Sequence, residues 1–512
     1  MARDLNADLI VGHNSKKHPD VIEFAGDYSL RDMLLINHEG EAIDIKYLVQ
    51  EINVYESIYN NSITGTVVIT DATNLINNLP IQGTERLAFK LKTPGTDKQQ
   101  HIIDCSEKTG FPVNIFKLTH RQQLDEGVQM YILHFCSREW LRNMRTRVSK
   151  SYSGTLDTMV NAILGDKDGL DSRKTITTQK TRNSDKIVIP NLPPLKAVSM
   201  LAKRALPEGS KGAGYHFYET TKGFHFRSWE SMCSHYGRIP RIPVQKFHYV
   251  VKNITDNNLV DNADPEKQDT KDKMLHDLQS VESFKIVQNF HNTAVNTYSG
   301  TYGHRVITHN LFNKSYKIND YHYHNQYNEF IHADFSTKDS STDEKFSVVD
   351  SAVDFDDKGV SDYPESRVSL VPTTQFLHDD PTGGYGTDVS QDGVLDGIRI
   401  AQRNQIIAST TIELTVKGQT YIQPGDVVLF DLRPVEKDGI TAGRKPYDLQ
   451  YSGRYIVCSI RHKVDANSYK MILVIKKDSV REPFLKGEPV FQGEPLREYP
   501  EFVTVGSGRP GR

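Results

Sequence analysis

Alternation of apolar and polar residues dominates the chain from Ile43 onward. "IDIKYLV" sets Ile43, Ile45, Tyr47 and Val49 on one face, and "ITGTVVITD" and "ERLAFKLKT" follow the same period of two, as half-buried strands do. "VNIFKLTHRQQLDEGVQMYILHFCS" predicts two strands turning at Asp125-Glu126-Gly127, a hairpin sequence. Five or six strands with little helix between 43 and 137 predict a closed barrel or a strongly bent sheet. The period then lengthens. Ser137 is a candidate cap for "REWLRNMRTRV", and Leu156, Met159, Val160, Ile163 and Leu164 share one helical face that Gly165 can end,. A further helix starts at Pro193-Pro194, residues suited to a first turn.

Strand text resumes in "GYHFYETTKGFHFRSW", where Tyr215, Phe217, Phe224 and Phe226 flank a short turn,. The final block is strongly patterned: "STTIELTVKG", "PGDVVLFDLRP", "SGRYIVCSIRHKV" and "SYKMILVIKKDS" predict four strands, punctuated by Gly418, Pro424-Gly425 and Ser452-Gly453,. The segments order as an arm (1–42), a first barrel (43–137), a helical insertion (138–207), the first part of a second barrel (208–232), a peripheral α+β domain (233–335), an acidic loop region (336–398), the rest of the second barrel (399–480) and an extended Pro/Gly-rich tail (481–512). The fold class is mainly β with α+β insertions. From 334 to 365 ten acidic residues face three lysines with few large apolar ones, a composition that suits surface coverage or contact with another subunit.

At 512 residues the chain has length for several domains,. Its net charge of -3 gives no global attraction to nucleic acid or to an anionic membrane,. The stretch 138–186 is locally basic, with eleven Lys/Arg against six Asp/Glu. It lacks interleaved aromatics and any binding module, so a solvated or protein-facing surface is expected in place of specific nucleic-acid recognition. No apolar run approaches the ~18 residues of a membrane span, and "MARDLNADLIVGHNSKK" lacks a signal-peptide core,. Cys105, Cys136, Cys233 and Cys458 stand far apart with no CxxC pair, so small buried hydrophobes are expected. A soluble protein made in a reducing cytoplasm is the corresponding expectation.

One run raises the question of chemistry. "DYHYHNQYNEFIHADF" brings His322, His324, Glu329 and His332 within eleven residues. On a strand His322 and His324 would share a face, and HxHx4E matches part of the metal site of cupin barrels. The glycines that flank that motif are absent: Tyr316 and Ser336 stand in their places. After Gly418 and Pro424-Gly425 no histidine follows until His462, and a metal site needs three or four converging ligands. GxSxG, phosphate-loop and HExxH motifs are also missing,. Interface or loop packing is the expected role of the run, with no catalytic residue, cofactor or metal. A cupin-like metal-dependent enzyme using His322, His324 and Glu329 is the alternative of a different class.

Two stretches together resemble a known family. "INVYESIYNNSITGTVVITDATNLINNLPIQGTERLAFKL", through Glu56-Ser57, Ser62 to Gly65, Asp71 and Leu79 to Gly83 followed by Glu85, resembles the opening barrel of tail hub proteins of contractile-tailed phages. "VKGQTYIQPGDVVLFDL" and "YSGRYIVCSIRHKVDANSYKMILVIKKDS" are similar to the second barrel of those proteins. "RVSKSYSGTLDTMVNAIL" and "IVIPNLPPLKAVSMLAKRA" resemble their helical insertion. The order, over roughly 43–480, is most similar to the baseplate central hub of T-even-like phages. The resemblance implies a non-enzymatic virion protein of the tail baseplate, assembled in the host bacterial cytoplasm. It implies a homotrimer whose six barrels imitate a tube layer, with a tail spike, tail-tube or tube-initiator proteins and other baseplate proteins as partners, and no membrane insertion. A hub or tube initiator of another contractile injection system fits the same motifs. The acidic stretch and the tail have no counterpart in the resemblance.

Overall fold

The computed structural model describes residues 10–11, 24–78, 81–94, 102–182, 184–209, 212, 214–235, 239–249, 270–310, 314–334, 357–373, 400–401, 404, 406–433 and 447–481. A two-residue strand β1 (Ile10–Val11) lies on β2 (Ser29–Ile36), which is followed by β3 (Ala42–Asp44), β4 (Val49–Ser57) and β5 (Thr64–Asp71). After a short helix α1 (Leu75–Asn78) come β6 (Arg86–Lys92), β7 (Ile102–Asp104), β8 (Val113–Asp125) and β9 (Val128–Cys136). Neighbours run β2-β6-β8-β9-β5-β4. β3 and the turn Lys46–Leu48 carry the chain from β2 back to β4, with the Ile45 amide donating to Met33 O at 3.0 Å. Alternation fills the interior: Val67 and Ile69 of β5 face Leu87, Phe89, Tyr131, Leu133 and Phe135 in one core. The expected hairpin forms, with Gly127 at φ 79° making its turn, a conformation glycine adopts without a Cβ penalty.

The insertion comprises α2 (Arg138–Arg145), β10 (Val148–Thr155), α3 (Leu156–Gly165), β11 (Ile176–Thr178), β12 (Ser184–Leu192), α4 (Pro194–Ala202), β13 (Tyr215–Thr220), β14 (Gly223–Ser228) and α5 (Trp229–Cys233). The apolar face of α3 packs with Val198 and Leu201 of α4 and with Phe217, Phe224 and Phe226. The β13–β14 hairpin therefore corrects one expectation: it is not the start of the second barrel. It takes β11 as a parallel neighbour, Ile176 opposite Phe224, in a separate three-stranded sheet. Four aromatic side chains on a two-stranded ribbon need a core, and the helices supply it.

A small β15 (Ser234–His235) and β16 (Ile239–Pro240) pair leads to β17 (Gln245–Tyr249), then α6 (Thr270–Gln279) and β18 (Val281–Gln288). Next come α7 (Thr293–Ser299), β19 (Gly303–Asn310), β20 (Ser315–His322), α8 (Tyr323–Gln326) and β21 (Val368–Thr373). The second barrel closes with β22 (Thr410–Lys417), β23 (Val427–Leu432), β24 (Gly453–Asp465) and β25 (Tyr469–Lys477). Its neighbours run β17-β23-β24-β25-β22-β18, and a bridge from His248 to Ser280 brings β18 back to β17. Chain order and spatial order thus repeat those of the first barrel. One difference is that β17 runs parallel to β23 whereas β2 is antiparallel to β6.

Three further boundaries move. The expected arm 1–42 contains β2, whose Leu30, Met33 and Leu35 belong to the first core, so that barrel begins at Ser29. Segment 233–335 supplies β17 and β18 to the second barrel, whereas β15 and β16 pair with each other and β19 and β20 belong to a separate sheet. Within the acidic segment, Val368–Thr373 pairs in parallel with β19. Residues 1–9 and 12–23 of the arm, 336–356 and 374–398 of that segment, and the tail beyond Arg481 lie outside the described residues. No described helix is long and apolar enough to cross a membrane.

Candidate functional site

The two barrels are one sheet. β4 pairs antiparallel with the second half of β24, from Ser57–Ser459 to Glu51–Asp465. The first half of β24 meanwhile pairs with β23. A 13-residue strand is needed to serve both partners, and Gly453 to Asp465 supplies it. Across the join Arg461 Nε donates to Asn53 Oδ1 at 2.9 Å and the guanidinium sits 5.8 Å from the Tyr55 ring centre. Lys463 Nζ and Arg461 Nη2 approach Glu51 at 3.2 and 3.6 Å. The Ser57 and Ser459 hydroxyls meet at 2.7 Å. Backbone ladder and side chains act together, so the join is rigid in the sense that opening it breaks main-chain hydrogen bonds.

The insertion is held to the first barrel by buried charge. Lys174 Nζ lies 3.0 Å from Glu139 Oε2 and 2.5 Å from Glu219 Oε1. Glu219 Oε2 accepts the Ile63 amide at 2.9 Å, and Glu56 Oε1 accepts the Thr221 amide at 2.9 Å. Burial raises the carboxyl pKa of Glu219, opposed by Lys174, and burial likewise raises that of Glu56. Burial lowers the neighbouring Lys222 to about 8. Glu56 is one of the residues that carried the resemblance; its partner, the tip of β13–β14, has no signature in the sequence.

The histidine run is dispersed by the fold. His322 is the last residue of β20 and caps α8, accepting the Asn325 amide at 3.3 Å, while its Nε2 faces Asp362 Oδ1 at 3.1 Å. His324 lies in α8 with Nδ1 2.8 Å from Ser361 Oγ. The strand that would align the two therefore ends between them, and their rings stand 6.4 Å apart. Glu329 is exposed. Tyr321, Tyr323, Tyr327 and Phe330 pack into a small core with Phe290 and Tyr302. His462 is buried in the second barrel, 2.7 Å from Tyr469 Oη, and burial lowers it to about 3. No group of three His, Cys, Asp or Glu among the described residues is placed to hold a metal ion.

His332 and Asp334 have a different role, which sequence reasoning missed. The stretch 331–334 threads between α5 and the second barrel. His332 Nδ1 contacts Asp478 Oδ2 at 3.0 Å, its Nε2 contacts Tyr327 O at 2.9 Å, and its ring stacks on Tyr327 at 3.8 Å. Asp478 also accepts the Ala333 amide at 2.9 Å and Trp229 Nε1 at 3.3 Å. Asp334 Oδ1 accepts the Arg454 amide at 2.8 Å, and its own amide donates to Ser479 Oγ at 2.9 Å. Burial opposes protonation of His332, but Asp478 wins and raises its pKa. The cysteines are all buried, and burial pushes Cys105 and Cys136 up to about 12 and Cys458 to about 11. His332, Asp334 and Asp478 thus join three parts of the chain, α5, the stretch 331–334 and the end of the second barrel.

No family model matches the chain. A curated relative, the probable baseplate hub protein of Vibrio phage KVP40, is 19% identical over 440 residues, 86% of this chain and 92% of that one. Among solved structures, the tail protein of Neisseria meningitidis covers 88% of this chain and 97% of its own at 10% identity and TM-score 0.46. The prophage MuSo2 tail protein of Shewanella oneidensis covers 88% and 100% at 10% identity and TM-score 0.45. Those scores are below 0.5, so the fold class stands on the strand order above. The molecule is a mainly β protein of two paired barrels with the same strand order. With the ordered motifs in its sequence and the Vibrio phage relative, it is a baseplate-hub-like protein.

Proposed function

We propose that this chain is a structural protein of a contractile tail, a trimeric hub that adapts the six-fold tail tube to a three-fold spike. The observation that carries the reading is the duplicated barrel: one chain presents two units of the same strand order, joined through β4 and β24 into a single sheet. Three such chains would offer six barrels to a six-fold tube and three insertions to a three-fold partner. Closed symmetry of this kind multiplies a modest contact into a large buried area. The likeness in sequence to a phage baseplate hub supports a place in the virion tail. In this reading the protein is not an enzyme and its partners are tail components, whether of a phage or of a related injection machine. The test is native mass of the purified protein, alone and mixed with its spike partner. A trimer that gains mass with the spike is expected. A strict monomer that never binds the spike overturns the reading.

A further inference from the structure

The second barrel closes through less backbone than the first. In the first, β3 pairs with β2 at three positions and the Ile45 amide reaches Met33 O before β4 begins. In the second, α6 takes the place of β3 in chain order, and the bridge from His248 to Ser280 joins β17 to the start of β18. The helix packs on β17 and β22. A side-chain contact spans the same seam: His248 Nε2 on β17 meets His276 Nε2 on α6 at 3.1 Å. His276 lies one helical turn before Ser280,, so the ring pair and the backbone bridge stand side by side.

The geometry of that contact is bent. At this nitrogen distance a linear N–H···N bond between two imidazoles sets the ring centres about 5.4 Å apart. The observed centres are 4.6 Å apart with the ring planes at 54°, so both rings lean towards one side of the line between the nitrogens. An ion bonded to both nitrogens at about 2.0–2.1 Å, with about 90–110° between the bonds, sets the nitrogens about 2.9–3.4 Å and the ring centres about 4.5–5.2 Å apart. Both observed distances fall in these ranges, towards the right-angled end. His322 and His324, the pair that sequence singled out, have centres 6.4 Å apart and do not. His276 is exposed and His248 half-buried, so an ion can reach them from solvent. Nearby, Asp431 offsets the positive charges of Lys246 and Arg433.

We propose that His248 and His276 chelate one divalent transition-metal ion of the imidazole-binding class (copper, nickel or zinc), which pins α6 to β17 across the seam of the second barrel. Two imidazoles are fewer than the three or four ligands of a permanent site. Water therefore fills the remaining positions, and the ion exchanges with solution. The ion links side chains 28 residues apart that meet only when the barrel is closed, so it favours the folded chain by mass action. The site goes beyond the hub reading and needs neither a trimer nor a spike.

The test uses the full-length protein, stripped with a chelator and titrated singly with Cu(II), Ni(II) and Zn(II). Electron paramagnetic resonance of the Cu(II) form counts coordinated nitrogens, and thermal melts with Ni(II) or Zn(II) read the stabilisation. A two-nitrogen Cu(II) signal and a midpoint that rises with metal are expected. His248→Ala and His276→Ala should each weaken binding about tenfold or more, because the second ligand acts at high effective concentration, and each should abolish the rise. The double variant His322→Ala/His324→Ala should change neither. His276→Gln, at an exposed position, is the second variant in case an alanine unsettles the helix; its metal-free melt should match that of the unmodified protein. Failure of all three ions to bind at about 1 mM overturns the proposal. So does binding that survives both single substitutions, or a Cu(II) signal from one nitrogen.

Discussion

Lys174 is the sharpest place to test how the insertion is held. Its ammonium serves two carboxylates at 3.0 and 2.5 Å, and the three side chains are 9%, 2% and 0% exposed for Lys174, Glu139 and Glu219. Lys174→Met keeps the aliphatic stem and removes the charge, leaving two acids facing each other away from water. Breaking a buried ion pair from one side costs about 3–5 kcal/mol. For a unit of about 150–250 residues that corresponds to a fall of about 6–20 °C in the unfolding midpoint. Glu219→Gln added to the variant should restore part of the loss, because the second buried charge is gone and Ile63 keeps an acceptor. The pH sign is definite. The raised Glu219 carboxyl contributes stability that is full below its unfolded value near 4.3 and lost as pH rises through the folded value. Without Lys174 the folded value rises further, so the deficit deepens from pH 5 to pH 8. Urea unfolding followed by intrinsic fluorescence measures this. A deficit under about 1 kcal/mol, or one that is larger at pH 5, would refute the reasoning.

His332→Ala should destabilise by about 3 kcal/mol or more, since Asp478 then stays buried without its imidazolium,. Because the His332 pKa is raised, its contribution is full below about pH 6.5 and fades as pH rises through the folded value,; denaturant titrations at pH 5.5 and 8.5 should show the larger deficit at 5.5. Gly453→Ala should cost about 1–3 kcal/mol by thermal melt, as φ is 146° and a Cβ would stand 2.7 Å from Asp334 Oδ2,.

Much of the fold was legible along the chain. Period-two alternation at Thr64–Asp71 and Tyr469–Lys477 marks strands whose every second side chain enters a core, and Gly127, Pro193 and Pro194 mark turns and starts by backbone chemistry alone. The order of motifs around Glu56, Gly65, Gly425 and Gly453 pointed to paired hub barrels. Two of those glycines have their reason only in three dimensions: a Cβ on Gly65 would strike the Phe135 ring at 2.1 Å, and one on Gly425 would strike Tyr218 Oη at 2.4 Å.

Partner choice was not legible, because alternation fixes which face a strand buries and says nothing about which strand lies beside it. That is why β13–β14 reads equally well as barrel or insertion, and why β17 and β18 were lost among polar text far from β22. The histidine run shows the same limit in its chemistry. Its spacing was visible, but whether His322 and His324 converge depended on where β20 ends, and the tie from His332 to Asp478 spans 146 residues. Local order sets the elements; only contacts remote in sequence, within the insertion and across the closing of the second barrel, decided which charged groups meet.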